Sequence, residues 1–154
     1  MDYSSLYKQK LTTAEKAAQV VKSYDWLDYG WGNNTTVAFD KAIAARMHEL
    51  DNVNIRGGVV LREPEIFKIK DPAAHFTWNS WHMSGYDAPL RYSELPRWYY
   101  ENIKRLNVSV FQTAPMDKDG FFNFGLNASH LKAVTDCADI VIVEVNTNMP
   151  YCVN

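Results

Sequence analysis

Gly30-x-Gly32-x-x-Thr35, between a short apolar run and an amphipathic stretch, is the segment whose spacing says most about chemistry. Backbone N–H groups at a helix start can hold a phosphate, a carboxylate or a developing oxyanion. Asn33 and Asn34 could add amide donors. The same spacing is a partial dinucleotide fingerprint that lacks its third glycine. Asp51 lies about 20 residues on, where a ribose-binding acid is sought, but it precedes the next strand rather than ending it. A tight strand-to-helix turn is the simplest alternative, and spacing alone leaves all of these open. Gly57-Gly58 would let a backbone approach a ligand closely, or merely form a turn or bulge.

A second concentration of polar and small residues runs from Asn123 through Gly125 and Asn127 to Ser129. These side chains could contact a ligand or cap a helix locally. Just upstream, Asp117-x-Asp119-Gly120 hints at calcium. A twelve-residue calcium loop starting at Asp117 would end on Ala128, where a bidentate Glu is needed, so a turn is the better reading. His48, His75, His82 and His130 show no metal-ligand spacing. Among them His82, beside Trp78, Asn79, Ser80 and Trp81, is the candidate to touch a substrate, and His48 is expected to be solvated. No Ser or Cys sits in a G-x-S-x-G context, and Cys137 reads as structural.

The elements that must position these residues follow from periodicity. Thr12 and Glu15 form a T-x-x-E capping box for a helix carrying Ala14, Ala17, Ala18 and Val21. Asp25 to Tyr29 reads as a strand. Thr35 or Thr36 caps a helix whose Phe39, Ile43, Met47 and Leu50 share one face. Asn52 to Ile55 and Val59 to Leu61 form a strand region, and His75 to Asn79 a third strand. A helix is predicted from Ser93, with Pro96 in its first turn. Asn107 to Gln112 alternates as a half-buried strand ending before Pro115, and Ala128 to Asp136 reads as a helix. Ile140 to Val145 is a β-branched run expected of a strand buried on both faces. Strand and helix alternate, which predicts an α/β fold with an open, mainly parallel sheet flanked by helices. In such sheets ligands bind where the strands' carboxyl ends run into loops.

The totals bound the remaining classes. The 154 residues fit one domain, and 47% hydrophobic and 14% aromatic content supplies a core. A formal charge of -2 with scattered Arg and Lys gives no field for nucleic acid or anionic lipid. No apolar stretch reaches the roughly 18 residues of a membrane span, and Met1 to Leu11 lacks a signal-peptide core. Cys137 and Cys152, without CxxC spacing, suit a reduced, cytoplasmic chain.

Ala114-Pro115-Met116-Asp117 to Asn127-Ala128-Ser129-His130, followed by Val143-Glu144-Val145-Asn146-Thr147-Asn148-Met149-Pro150, resembles the acetyl-CoA hydrolase/transferase family. Within it, the run is most similar to the butyryl-CoA:acetate and 4-hydroxybutyrate CoA-transferases. Tyr7-Lys8-Gln9-Lys10-Leu11, Ile55-Arg56-Gly57-Gly58, Trp78 to Gly85 and Arg91 to Arg97 match it too. The resemblance spans nearly the whole chain but only the amino-terminal half of such a protein. It implies a CoA-transferase-like amino-terminal domain over 1–154, and transfer of coenzyme A between a short-chain acyl-CoA and a carboxylate such as acetate. The family's nucleophile is a glutamate that becomes a glutamyl-CoA thioester, carried by a carboxyl-terminal domain that this sequence does not include. Glu63, Glu65, Glu94, Glu101 and Glu144 do not sit in its motif, so no catalytic residue is expected here.

The implied substrate-binding set is Gly30, Gly32, Asn33, Asn34, Gly57, Gly58, His82, Asn123, Gly125 and Asn127, with no metal and no bound cofactor beyond the CoA thioester as co-substrate. The implied partners are the acyl-CoA, the short-chain carboxylate, the carboxyl-terminal half or a companion chain, and further copies in a homo-oligomer when complete. Two departures stand out: only Tyr86 to Leu90 separates Gly85 from Arg91, and Tyr151 to Asn154 leaves the family pattern. Hydrolysis, with water as acceptor, is one alternative activity. Another is a non-catalytic α/β module that binds a nucleotide or a partner through an apolar face, with Phe76, Trp78, Trp81, Tyr86, Tyr92, Trp98, Tyr99 and Tyr100 as its material.

Overall fold

A computed structural model describes residues 2–80 and 95–153. Helices α1 (Tyr3–Lys10) and α2 (Ala14–Ala18) precede strand β1 (Trp26–Asp28). Helix α3 (Ala38–Ala45), strand β2 (Val53–Gly57), the short helix α4 (Pro72–His75) and strand β3 (Phe76–Ser80) follow. Helix α5 (Leu95–Asn102), strand β4 (Val108–Thr113), helix α6 (Leu131–Cys137) and strand β5 (Ile140–Val145) complete the order. The five strands lie as β3-β2-β1-β4-β5, and every neighbouring pair is parallel. The expected α/β architecture is therefore present, with all described strand pairs parallel. After β3 the chain returns to the other side of β1, so the order reverses between β1 and β4.

Alternation along the strands builds two cores. Leu27, Tyr29, Ile55, Val108 and Val110 pack with Ala18 of α2 and Phe39 and Ile43 of α3. Asp28, between Leu27 and Tyr29, turns to the opposite face, where Leu95, Tyr99, Leu106, Ala133 and Val134 of the α5–α6 layer form the second core. Fully buried Leu27, Ile43 and Ile55 each contribute about 2 kcal/mol of apolar burial.

Several expectations are corrected. Neither Thr35 nor Thr36 caps α3; its first N–H groups are held by the Glu144 carboxylate from β5. At α2 the capping oxygen belongs to Thr13, which accepts from Lys16 N, and not to Thr12. Helix α1 carried no periodic signal, and it has no buried residue. All six residues of β4 are buried, because it lies between β1 and β5 under helices on both faces. Conversely β5 is an edge strand, with Ile140 41% and Val141 39% exposed. Val59 to Leu61 is not a strand; Val60 makes only a single bridge to Gly32. The predicted helix over 128–136 is displaced to α6, Leu131–Cys137. Among the described aromatics, Trp78 packs on the first core and Tyr99 lies in the second, so they form no single patch. Trp81, Tyr86, Tyr92, His82 and the Tyr86 to Leu90 junction lie outside the described residues.

Candidate functional site at the strand carboxyl ends

The carboxyl ends of β1, β2 and β4 deliver three loops to one rim of the sheet. They are Gly30 to Thr36, Gly57 to Val60, and Ala114 to His130. Asn34 ties the first to the third: its Nδ2 donates to the carbonyls of Gln112 at 2.8 Å and Phe124 at 2.7 Å, and its own carbonyl accepts from Gln112 N at 2.7 Å. Both amide protons of Asn34 are thus committed within the fold. Asn127 repeats the device, donating from Nδ2 to the Trp31 carbonyl at 3.2 Å. Gly32 N donates to the Val59 carbonyl at 2.8 Å, which joins the first loop to the second. Asn33 stays exposed on this rim.

The glycines have identifiable neighbours. A Cβ on Gly58 would lie 1.9 Å from the Trp31 ring, and one on Gly57 would lie 2.4 Å from the Trp78 ring. Both glycines are seats for indoles, and Trp31 covers the Gly58 backbone on the rim. Gly30 has a φ of +69° and Gly32 one of +55°. A left-handed backbone at these positions favours residues without a Cβ. Asn123 accepts from Gly125 N at 2.8 Å and Cys152 N at 3.1 Å, and its Nδ2 donates to the Cys152 carbonyl at 2.8 Å. It pins the loop after β4 to the residues after β5. Gly125 packs against Met149.

Beneath this rim lies a cluster that pattern reading missed. Asp28, at the end of β1, is 1% exposed and accepts from Gly30 N at 2.9 Å and from the Tyr99 hydroxyl at 2.5 Å. Burial pushes its carboxyl up to about 6, against the opposing pull of those hydrogen bonds and of the Arg56 charge. Tyr99 is raised as well, first by burial and then by the adjacent Asp28 charge. His130 stacks on Tyr99 with ring centres 5.0 Å apart, meets Trp31 edge-on at 6.2 Å, and has Nε2 4.0 Å from Asp28 Oδ2. Burial brings its imidazole down to about 4, so at neutral pH it is uncharged and the Asp28 contact is not an ion pair. Ser129 Oγ lies 2.9 Å from His130 Nδ1. The signal for this cluster was weak: Asp28 and His130 are about a hundred positions apart in sequence, and only the β1–β4 neighbourhood unites them.

A second buried carboxylate, Asp40 on α3, accepts from Arg62 Nη2 at 2.9 Å and Glu65 N at 2.7 Å. Burial raises its pKa while those partners oppose the rise. It fastens the segment after β2 to α3. Glu144 accepts from Val37, Ala38 and Phe39 N–H groups at 2.9 to 3.0 Å and from Gln112 Nε2 at 2.8 Å. The anion-binding end of α3 is therefore already filled by a carboxylate of the chain itself. Among the described residues no group of His, Cys, Asp and Glu could hold a metal ion, and no helix is long and apolar enough to cross a membrane.

Comparison with known proteins bears on what such a rim does. Residues 60–154 match the model of the acetyl-CoA hydrolase/transferase N-terminal domain. The chain is 55% identical to the butyryl-CoA:acetate CoA-transferase of Anaerostipes caccae, over 99% of this chain and 36% of that protein. It is 27% identical to the 4-hydroxybutyrate coenzyme A transferase of Clostridium kluyveri, over 97% of this chain and 37% of that protein. The fold matches the crystal structure of 4-hydroxybutyrate CoA-transferase from Porphyromonas gingivalis with a TM-score of 0.84, at 21% identity and over 37% of its length. The chain thus spans a little over a third of the relatives it matches. On this evidence the chain belongs to the acetyl-CoA hydrolase/transferase family and corresponds to the amino-terminal part of its members.

Proposed function

We propose that this chain is the amino-terminal domain of a CoA-transferase exchanging coenzyme A between a short-chain acyl-CoA, butyryl-CoA above all, and acetate. The observation that carries this reading is the 55% identity, across nearly the whole chain, to a butyryl-CoA:acetate CoA-transferase. The convergence of the Gly30, Gly57 and Asn123 loops at the strand carboxyl ends supports it, since open α/β sheets bind ligands there.

In the proposed reaction a glutamate carboxylate on the remainder of the polypeptide attacks the thioester carbonyl. The C–S bond breaks, CoA thiolate leaves, and an acyl–glutamyl anhydride forms. The thiolate then attacks the glutamyl carbonyl, releasing the fatty carboxylate and leaving glutamyl-CoA. Acetate reverses both steps and departs as acetyl-CoA. Glu144 is unsuited to the nucleophile's role, because three backbone N–H groups and the Gln112 amide already engage its oxygens.

The chain's own contribution would be one wall of the acyl pocket. Gly30, Gly32, Asn33, Gly57, Gly58, Asn123, Gly125 and Asn127 would shape it, and Asn34 would brace it. Butyryl-CoA:acetate exchange should be absent from residues 1–154 alone. It should appear on adding a polypeptide with the rest of the Anaerostipes caccae relative. CoA release without acetate would mark hydrolysis, and turnover by the chain alone would refute the division of labour.

A further inference from the structure

The three rim loops are not equally secured. The first and third are tied by the Asn34 and Asn127 side chains. The first and second share, among the described residues, one backbone hydrogen bond, from Gly32 N to the Val59 carbonyl. Apolar packing does not make up the difference. No residue from Val59 to Glu63 is buried, and Leu61 is 66% exposed.

Arg62 holds this segment instead. A terminal guanidinium nitrogen carries two hydrogens, and Nη2 of Arg62 serves two acceptors. It donates to the Thr36 carbonyl, at the end of the first rim loop, and to Asp40 Oδ2 at 2.9 Å. Asp40 is fully buried on α3, and the same Oδ2 accepts from Glu65 N at 2.7 Å. A carboxylate of α3 thereby caps the short turn Glu65–Phe67, which has no side-chain cap of its own. Asp40 Oδ1 has no partner among the described residues, so the contacts at Oδ2 must offset the burial of the charge. The turn it caps carries Phe67, whose ring meets Trp78 edge-on at 5.3 Å, and Trp78 fills the seat at Gly57. The clamp therefore reaches both loops: the first through Thr36, the second through Arg62 itself and the Phe67–Trp78 contact.

We infer that Arg62 and Asp40 are positioning residues of the acyl-CoA site, which set the separation of the first two rim loops without touching substrate. A displacement of about 1 Å in a site wall is enough to cost turnover steeply, and here one guanidinium fixes the spacing. The functional consequence rests on the reading of this rim as an acyl-CoA wall. The control of loop spacing does not.

Two readouts test it, one of them independent of activity. Arg62→Met removes the donors to Thr36 and Asp40 and keeps an aliphatic stem, while the ammonium of Arg62→Lys can still serve both acceptors. In residues 1–154 the Gly32 amide should exchange with solvent about tenfold faster in Arg62→Met and return toward the wild-type rate in Arg62→Lys. With the remainder of the Anaerostipes caccae relative added, kcat/KM for butyryl-CoA should fall about tenfold in Arg62→Met with kcat within about twofold, and Arg62→Lys should recover most of the loss. Lys68→Met breaks the exposed ion pair to Glu65 on the same turn, leaves the clamp intact and should change neither readout. Should circular dichroism show Arg62→Met unfolded, Asp40→Asn, which weakens the clamp by removing its negative charge, replaces it with the same expected directions. A Gly32 amide as slow in the variant as in the wild type would overturn the inference. So would a loss confined to kcat that follows the folded fraction and that lysine does not rescue. If the wild-type mixture shows no turnover, the acyl-CoA reading fails by itself, and the Gly32 amide still decides whether Arg62 sets the loops.

Discussion

Asp28 and His130 face each other across 4.0 Å in the same buried pocket, and their titrations oppose. The Asp28 carboxyl rises from 3.8 to about 6, so its contribution to stability is lost as pH climbs through that window. The His130 imidazole falls from 6.5 to about 4, so its contribution is lost as pH drops through its own window. Each swing is about 3 kcal/mol at 1.36 kcal/mol per unit. The pair's net contribution to the unfolding free energy should therefore be nearly flat from pH 4 to 6. Asp28→Asn should turn it into a rise with pH, and His130→Gln into a fall; urea titrations at four pH values measure all three. The glycine pair permits a second test. Gly58→Ala places a methyl against the Trp31 ring, which should cost about 1–3 kcal/mol and shift tryptophan emission. Glycine spacing flagged these positions in the sequence. That they seat indoles was illegible there, because the seats depend on residues of other segments.

At the scale of elements, Glu144 caps α3 from a strand two places across the sheet. Local pattern reading looks for caps within one turn, which is why Thr35 or Thr36 looked suitable. Instead Thr35 and Thr36 bury hydroxyls that have no partner among the described residues. Glu144→Ala should destabilise by about 2 kcal/mol, by orphaning helix N–H groups. Thr36→Val should be neutral or slightly stabilising; thermal melts of the two variants distinguish a cap in β5 from one in the loop. The helix of α3, the parallel ladder and the turn at Gly120 were legible, since each rests on short-range periodicity or turn chemistry. The burial of β4 and the exposure of β5 were not. A strand's neighbours are fixed by topology, and an apolar run such as Ile140 to Val145 reads alike at the centre and at the edge of a sheet.

At the scale of the molecule, the rim where β1, β2 and β4 end is one side of the proposed cleft. The family resemblance made the fold and the proposed chemistry legible, while the buried Asp28–Tyr99–His130 support under the rim emerged only from the three-dimensional arrangement. The central claim is that the converging loops form a wall of the acyl-CoA site. Its most direct test is a nuclear magnetic resonance titration of isotope-labelled residues 1–154, assembled with the unlabelled remainder of the Anaerostipes caccae relative, against butyryl-CoA. The account predicts shift changes concentrated at Gly30 to Asn34, Gly57 to Gly58 and Asn123 to Asn127. Changes confined to the opposite, amino-terminal ends of the strands, with those loops silent, would contradict it.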